Sequence, residues 1–524
     1  MTRQILAQRG RLITEQNSRW WTLGAMCFAL FMTMLDNTVV NVALPSIQRD
    51  LHASLDALEW TMNAYTLTFA VLMVTGGRLG DIFGRRKMFL FGVAVFGLSS
   101  LLIGFSGSDT WLVAFRAVQG VGAAFMMPAT LSIITQSFPA EQRGTAIGTW
   151  AGIGALALAI GPVIGGFLTE YVSWRAIFFL NPPIAVGAVA VTLFAARESR
   201  DQTVGRSVDL AGMATLTAGL TALVLALVQS NSWHWGSARV IGLFGVAVVA
   251  LVAFVVIELR LRAPMLDFSF FRSRTSAGAN AVGFLVTFAM FAQFFFLTLY
   301  MQNVLHYSPL QTGVRFLPAT LSIMIMGPLA GRLTDRVGPR PLMALGLAII
   351  GAALLIQSRL TVHTGYALLL PGFILIGLGI GLVMSPMSTA AMNAVDRTKS
   401  GAASGVLSMS RMVGGTVGLA VMGALVTTIG RSKLDSSLPQ LPAAARAKLA
   451  GALGSGGAPD GRASPHVISA VHDAFVSALG AGLEIGAAVA FAGAALALVL
   501  IGPARTQLAE TVPTEQIAPE AMTA

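Results

Sequence analysis

The chain has little of what a soluble protein is built from. Its 524 residues include one cysteine, Cys27, and 6 histidines, and only 11% of them are charged. A soluble protein is about a quarter charged. One cysteine excludes an intrachain disulfide, and the lack of a cysteine or histidine cluster argues against a metal site. The composition therefore points away from soluble enzymes and metalloproteins and towards the bilayer.

The chain is rich in hydrophobic residues, which make up 55% of it and fall in long runs. A helix of about 20 apolar residues spans a bilayer. Runs of that length fall at 20–45, 57–79, 87–106, 110–132, 144–169, 174–196, 208–229, 238–259, 276–301, 312–332, 340–358, 364–388, 401–429 and 473–501. These runs predict an all-α polytopic membrane protein with about fourteen spans. We expect no cofactor, and the lack of a Gly-x-x-x-x-Gly-Lys loop argues against a nucleotide.

Basic residues are concentrated in alternate connections, and they set the predicted orientation. The segment 1–19 is arginine-rich, and the apolar run after it is too long for the core of a cleaved signal peptide. Under the positive-inside rule both tails, 1–19 and 502–524, are cytoplasmic in a cell inner membrane, and 430–472 is a flexible extracytoplasmic loop. Because topology explains the net charge of +11, we expect no nucleic-acid partner.

Asp36 is the most informative single residue, because it lies inside the first apolar run. A charge at membrane depth costs roughly 2.5–3.5 kcal/mol on insertion scales, so it usually faces a wet cavity or a partner. Counting about 1.5 Å per helical residue puts Asp36 and Arg116 in the same half of the bilayer, within reach of an arginine side chain. We predict that Asp36 alternates between protonated and ionised forms, with Arg116 favouring the ionised form. A static ion pair is the alternative.

A loop sequence occurs twice. Gly77–Arg86 follows the second run and Gly331–Arg340 follows the tenth, and the two match at Gly, Arg, Leu, Asp, Gly and the final Arg. Duplicated halves related by an axis along the membrane normal are a known transporter plan. The loops fall at equivalent places if 208–259 is an inserted helix pair. The predicted units are then a six-helix bundle at 20–196, this pair, and a six-helix bundle at 276–501.

The residues of the repeated loop are suited to a contact that joins the two halves, which we call a clasp. Its glycines permit tight turns and close approach, an aspartate can lie against the positive N-terminus of a helix, and arginines can pair with acids. The residues assigned to this gating role are Gly77, Asp81, Gly84, Arg85, Arg86, Asp335 and Arg336. A short positive-inside turn is the plainer alternative.

Further candidates lie within the spans. A kinked, tightly packed helix that seals against proton leak is predicted from Gly161, Pro162, Gly165 and Gly166, against ordinary small-residue packing. Polar and aromatic residues predicted to bind substrate are Asn41, Trp60, Asn63, Tyr65, Gln119, Phe291, Gln293 and Phe295, although the phenylalanines also fit a lipid-facing stripe. Glu484 is either a second protonation site or a snorkelling carboxylate. Arg411 is either an anchor to backbone carbonyls or a substrate contact.

These motifs resemble the major facilitator superfamily. The repeated loop is similar to its Gly-x-Leu-x-Asp-x-x-Gly-Arg-Arg/Lys signature, and Leu35–Pro45 resembles the first-span signature of the fourteen-span drug:proton antiporter branch, the EmrB/QacA type. Arg116–Gly122 and Gly161–Gly166 are similar to its fourth-span and fifth-span motifs, the latter an antiporter motif. The resemblance implies the major facilitator fold with an inserted helix pair. It also implies a proton-coupled antiporter that exports amphipathic drugs or antibiotics by alternating access.

Other functions stay open at this point. The expected partners are a small lipophilic substrate, protons and membrane lipid, and a periplasmic adaptor is undecided. A lipid or glycolipid exporter or flippase of the same fold is the nearest alternative. A membrane-embedded enzyme is disfavoured, because no cluster of His, Asp and Glu falls on one membrane face. A non-transporting receptor would not need Asp36, Arg116 and the glycine-proline helix together.

Overall fold

The computed structural model describes residues 17–53, 55–200, 209–233, 236–261, 271–454 and 464–502. Every regular element in these ranges is helical. Among them are 14 segments long and apolar enough to cross a membrane. The prediction of an all-α multi-pass membrane protein is therefore confirmed.

The first half holds helices α1 (Ser18–Leu51), α2 (Leu55–Phe83), α3 (Arg85–Gly104), α4 (Asp109–Ser137), α5 (Ala140–Tyr171), α6 (Trp174–Phe179) and α7 (Asn181–Ala195). The next two helices are α8 (Leu210–Trp233) and α9 (Ala238–Arg260). The second half holds α10 (Arg274–Leu299), α11 (Pro309–Val337), α12 (Pro339–Gln357), α13 (Tyr366–Asn393), α14 (Ser400–Ser437), α15 (Ala443–Gly454) and α16 (Pro465–Leu500). Helices α6 and α7 form one span. A single π-helical turn, Tyr300–Val304, extends α10.

Local sequence explains several helix ends. Ser108 accepts a hydrogen bond from the Trp111 N–H at the start of α4, and Ser308 forms a capping box with Gln311 at the start of α11. Where the sequence predicts a flexible connection at 430–472, α14 continues to Ser437 and α15 follows. Alanine, leucine, lysine and arginine dominate α15, and these are strong helix formers.

Two long seams join the halves. Helix α5 packs along α11, and α2 packs along α14. Within each half the helices enclose their own apolar core, such as the cluster around Met26, Phe89 and Phe96 in the first half and the one around Phe296 and Phe373 in the second. The seams therefore lie between two bodies, each with its own apolar core.

Helices α8 and α9 do not form a third body. Helix α9 packs on α8, and α8 packs on both α2 and α14. Leu216 and Leu220 of α8 share an apolar cluster with Val71 and Val74 of α2, and with Val406 of α14. The pair thus lies over one seam and touches both halves.

The halves approach most closely at the end that carries the two repeated loops, which we call the motif end. A Cβ atom at Gly77 would lie 2.3 Å from the Gly401 carbonyl oxygen, and one at Gly331 would lie 2.1 Å from that of Gly144. Backbones in such contact leave no room for a side chain. Both seams are therefore tightly closed at the motif end.

Candidate functional site

Asp36 and Arg116 meet inside the first half. Asp36 lies on α1 and Arg116 on α4, and only 1% and 0% of their surfaces are exposed. The Arg116 Nη1 group donates to Asp36 Oδ2 at 2.6 Å. The structure therefore brings together the two residues predicted from sequence depth, and it joins them in a buried ion pair. Their role in proton coupling stays a prediction.

Two amides complete the surroundings of the carboxylate. Gln119 Nε2 donates to Asp36 Oδ1 at 3.0 Å, and Asn181 Nδ2 donates to the same oxygen at 3.1 Å. Gln119 also accepts from Arg116 Nη1 at 2.8 Å, while Asn181 donates to Ser100 Oγ at 2.9 Å. The ionised carboxylate thus receives three donors. This network is built for a negative charge, because each donor loses strength when the acceptor is neutral.

Arg116 has support that does not depend on Asp36. Its Nε donates to the Thr61 carbonyl at 3.0 Å, and its guanidinium carbon lies 4.3 Å from the centre of the Tyr65 ring. A desolvated cation–π contact contributes up to about 2 kcal/mol. Arg116 Nη2 hydrogen bonds to none of the described residues. The guanidinium can therefore stay in place after Asp36 loses its charge.

Asp81 holds the first clasp between the halves. Its carboxylate accepts the N–H groups of Gly401 at 2.9 Å and Ala402 at 2.7 Å, in the first turn of α14. Arg85 pairs with it at 2.6 Å and also donates to the Thr398 carbonyl across the seam. Free N–H groups and the helix dipole make a helix N-terminus an anion site. Asp81 thus joins α2 to α14 at the motif end.

Asp335 holds the matching clasp on the other seam. It lies on α11 and accepts the Gly144 N–H at 3.0 Å and the Thr145 hydroxyl at 3.0 Å, near the start of α5. After each aspartate a glycine with positive φ starts the next helix, Gly84 at 114° and Gly338 at 83°, a conformation that favours glycine. The sequence repeat is therefore matched by a repeated contact.

Of the other two arginines assigned a gating role, Arg86 contacts its own half and Arg336 is exposed. Arg86 donates to the Leu193 carbonyl at 2.9 Å, and its backbone N–H donates to Glu198 at 3.1 Å. Arg336 is exposed. Among the described residues neither donates a hydrogen bond across a seam, so their gating role stays a prediction.

The glycines of α5 pack against α1 next to Asp36. A Cβ atom at Gly161 would lie 1.8 Å from Thr38 Oγ1, and one at Gly165 would lie 2.9 Å from Val39 Cγ1. Around Gly166 nothing lies within 4 Å. Helix α5 continues through this stretch, and the side chain of Pro162 lies outside the described residues. Two of the four predicted residues therefore make the close contact.

The predicted substrate residues divide into three groups. Tyr65 and Gln119 belong to the buried Asp36 network. Buried in the second half, Gln293 donates to Gln357 at 3.0 Å. Phe291 and Phe295 are 48% and 42% exposed, and Trp60 and Asn63 are partly exposed, while the side chain of Asn41 lies outside the described residues. Their role in binding substrate stays a prediction.

The sequence allows two roles for each of two charged residues, Glu484 and Arg411. Glu484 is exposed on α16, on the same face as the exposed Ile485 and Phe491, which is the surface a lipid-facing helix presents. Arg411 is partly exposed on α14. No anchoring hydrogen bond from its guanidinium to a backbone carbonyl occurs among the described residues.

A further ion pair lies at the end opposite the motif end. Asp50 accepts from Trp174 Nε1 at 3.0 Å and pairs with Arg175 at 2.5 Å. These hydrogen bonds, with Trp174 the larger cause, hold the pKa of Asp50 below its usual range. The pair ties the end of α1 to the start of α6.

Sequence reasoning did not assign Asn181 and Ser100 to the site. Asn181 is 145 positions from Asp36, yet it is 1% exposed and points at that carboxylate. The available signal was an amide beside two prolines inside an apolar run. Polar side chains at membrane depth seek the interior, and that rule would have included it.

Comparison with known proteins agrees with this architecture. Residues 26–419 match the family model of the Major Facilitator Superfamily. The tetracenomycin C resistance and export protein of Streptomyces glaucescens is 34% identical and covers 91% of this chain and 91% of its own. The puromycin resistance protein pur8 of Streptomyces alboniger is 40% identical over 78% of this chain and 82% of its own.

Two further matches complete the comparison. The multidrug resistance protein Stp of Mycobacterium tuberculosis is 36% identical over 80% of this chain and 78% of its own. The solved structure of the human organic anion transporter MFSD10 (TETRAN) superposes with a TM-score of 0.60 over 90% of this chain and 99% of that one, at 14% identity, which is a likeness of fold alone. The chain therefore belongs to the major facilitator superfamily, in its fourteen-span drug-export branch, and it is a multi-pass membrane transporter rather than an enzyme.

Proposed function

We propose that this chain is a proton-coupled antiporter that exports amphipathic drugs or antibiotics by alternating access. The relatives named for tetracenomycin C, puromycin and multidrug resistance support the substrate class. The buried ion pair of Asp36 and Arg116 is the observation that carries the coupling. It is an ionisable carboxyl group inside a transport protein, in contact with a cation that responds to its charge.

Protonation of Asp36 changes the balance of this network. Removing one partner of a buried ion pair costs about 3–5 kcal/mol, and a proton on Asp36 removes the negative charge in the same way. Arg116 then keeps the Thr61 carbonyl and the Tyr65 ring but loses its counter-charge. Helices α1 and α4 are consequently held together less strongly. Proton uptake and release on this carboxyl can thus bias the packing of the first half.

The clasps at the motif end supply the second element of the cycle. Asp81 and Asp335 close the two seams at one end of the bundle. For the substrate to reach the binding region from that end, both contacts must break. A two-state element that both the proton and the substrate can bias is what coupling requires.

We infer that the motif end faces the cytoplasm, because its loops are rich in arginine and the positive-inside rule applies. The termini would then be cytoplasmic and the membrane the cell inner membrane. The packing also supports the proposed division into bundles at 20–196 and 276–501 with 208–259 inserted. With that orientation, the form in which both clasps are made is closed towards the cytoplasm and has to open for loading.

The test uses inverted membrane vesicles whose interior is acidified and followed with a quenched acridine dye. Added puromycin or tetracenomycin C should raise the fluorescence, since export into the vesicle releases protons. Asp36→Asn should abolish this recovery. Asp50→Asn is the matched control, because it makes the same substitution on the same helix in an exposed pair, and it should keep the recovery.

Full recovery by the Asp36→Asn variant would contradict the coupling role of this carboxyl. If the wild-type protein gives no recovery with either drug but extracts labelled lipid in reconstituted vesicles, the lipid exporter or flippase becomes the better account. Expression of both variants is checked by fluorescence-detected size exclusion, so that a misfolded protein is not read as an uncoupled one.

A further inference from the structure

Arg411 lies within a candidate membrane span and is partly exposed. It stands about 16 Å along α14 from the first residue, Ser400. Residues 400–407 of this helix are buried against the seam, whereas 408–413 are all partly exposed. Helix α14 is therefore less tightly packed at the level of Arg411 than at the motif end.

The stem of Arg411 is held inside the second half. A Cβ atom at Gly283 of α10 would lie 3.3 Å from Arg411 Cγ and 3.2 Å from Met387 Sδ of α13. The Thr287 hydroxyl donates to the Arg411 carbonyl at 2.7 Å, which fixes the helix against α10. The side chain thus starts between three helices of the bundle and does not start on a lipid-facing surface.

The guanidinium has no counter-charge among the described residues. It takes part in no ion pair with an acidic side chain there, and its Nε is buried without a hydrogen-bond partner. Glu484 cannot supply the charge, because its neighbour Gly482 contacts Met422, about 16 Å further along α14. This sets Arg411 apart from Arg116, whose charge Asp36 balances.

We propose that Arg411 binds an acidic group of the exported compound, so that amphipathic organic anions are among the substrates. An uncompensated cation at membrane depth is unfavourable and is usually a functional group. A guanidinium with free N–H donors fits a carboxylate, phenolate or sulfonate. The bound anion would supply the missing counter-charge, while the partly exposed α14 surface around it contacts the apolar part of the compound.

The proposal rests on the function proposed above, and it is tested by binding so that the two can fail separately. The probes are two dyes with one scaffold, neutral N-phenyl-1-naphthylamine and anionic 8-anilino-1-naphthalenesulfonate. Binding is measured by equilibrium dialysis against the full chain in nanodiscs, with empty nanodiscs subtracted. Wild-type protein should bind the anion about tenfold more tightly, since hydrogen bonds to charged groups are the strong ones.

Arg411→Gln should lose about tenfold in affinity for the anion and none for the neutral dye, and Arg411→Lys should recover part of the loss. Arg315→Gln is the matched control, because it removes the same charge from α11, where Arg315 already lies 3.8 Å from the Tyr307 ring. It should leave both affinities unchanged.

Three results would overturn the assignment. They are equal wild-type affinity for the two dyes, an unchanged anion affinity in Arg411→Gln, and an equal loss for both dyes in that variant. Asp36→Asn separates the two proposals, because it should abolish proton-linked transport and keep the preference for the anionic over the neutral dye. Selective anion binding without any proton-linked transport would contradict the proposed antiport function and support the proposed anion site at Arg411.

Discussion

The clasp at Asp81 gives the sharpest quantitative prediction. Asp81→Asn keeps one carbonyl for one N–H group of α14, but it removes the charge that Arg85 and the helix start both require. Breaking a buried pair from one side costs about 3–5 kcal/mol. In the open form Asp81 would be hydrated and the change would cost little. With about 3 kcal/mol lost from the closed form alone, the ratio of closed to open at the motif end should fall about 100-fold.

Asp335→Asn should lower the same ratio of closed to open, but by less. Asp335 is only partly buried, and among the described residues it accepts hydrogen bonds from two backbone N–H groups and a hydroxyl and pairs with no arginine. The loss should be nearer 1.5 kcal/mol, or about tenfold in the same ratio. The two clasps therefore predict an order of effects as well as a direction.

The single cysteine makes the measurement direct. In a Cys27→Ala background, spin labels at Phe83→Cys and Val337→Cys report the separation of the halves at the motif end by double electron–electron resonance. Both positions are open to labelling, at 42% and 52% exposure. Asp81→Asn should increase the long-distance population strongly and Asp335→Asn moderately. An unchanged distribution in Asp81→Asn, or a larger shift in Asp335→Asn, would refute the reasoning.

Two further predictions follow from local geometry. Gly161→Ala should destabilise the protein by about 1–3 kcal/mol through overpacking against Thr38, whereas Gly166→Ala, with open space around it, should not; equal thermal shifts in the two would contradict this. Asp50, whose pKa is lowered in the folded protein, stabilises it above the unfolded pKa of about 3.9, and that contribution disappears as the pH falls through the lowered value. The melting temperature of Asp50→Asn should therefore lie below wild type at pH 7 and converge with it in acid, and a gap independent of pH would exclude this linkage.

The sequence carried much of the fold, because the bilayer makes simple rules reliable. Span length, alternating basic connections and the repeated loop predicted the fourteen spans, and depth counting joined Asp36 to Arg116. Depth counting works because a spanning helix has a known rise and direction. The sequence gives no comparable measure of how a helix is rotated about its own axis. The exposure of Phe291 and Phe295 is therefore known only from the structure.

Contacts between residues far apart in the sequence are the other feature that the sequence does not predict. The contact of Asn181 with Asp36 depends on how α7 meets α1, and the acceptance of the Gly144 N–H by Asp335 depends on the seam between the halves. Neither follows from periodicity. Residues 443–454 were predicted as loop from their small residues, although the same alanines favour a helix once a neighbouring surface is available.

The contact of α8 with both halves has a consequence for motion. The side chains that meet there, among them Leu216, Val71 and Val406, are aliphatic, and dispersion contacts have no preferred direction. In the proposed alternating-access cycle, this patch can slide by exchanging one set of methyl neighbours for another, with no polar bond to break. Helix α8 would then cover the interface between the halves and exclude lipid tails from it, without restraining their relative movement.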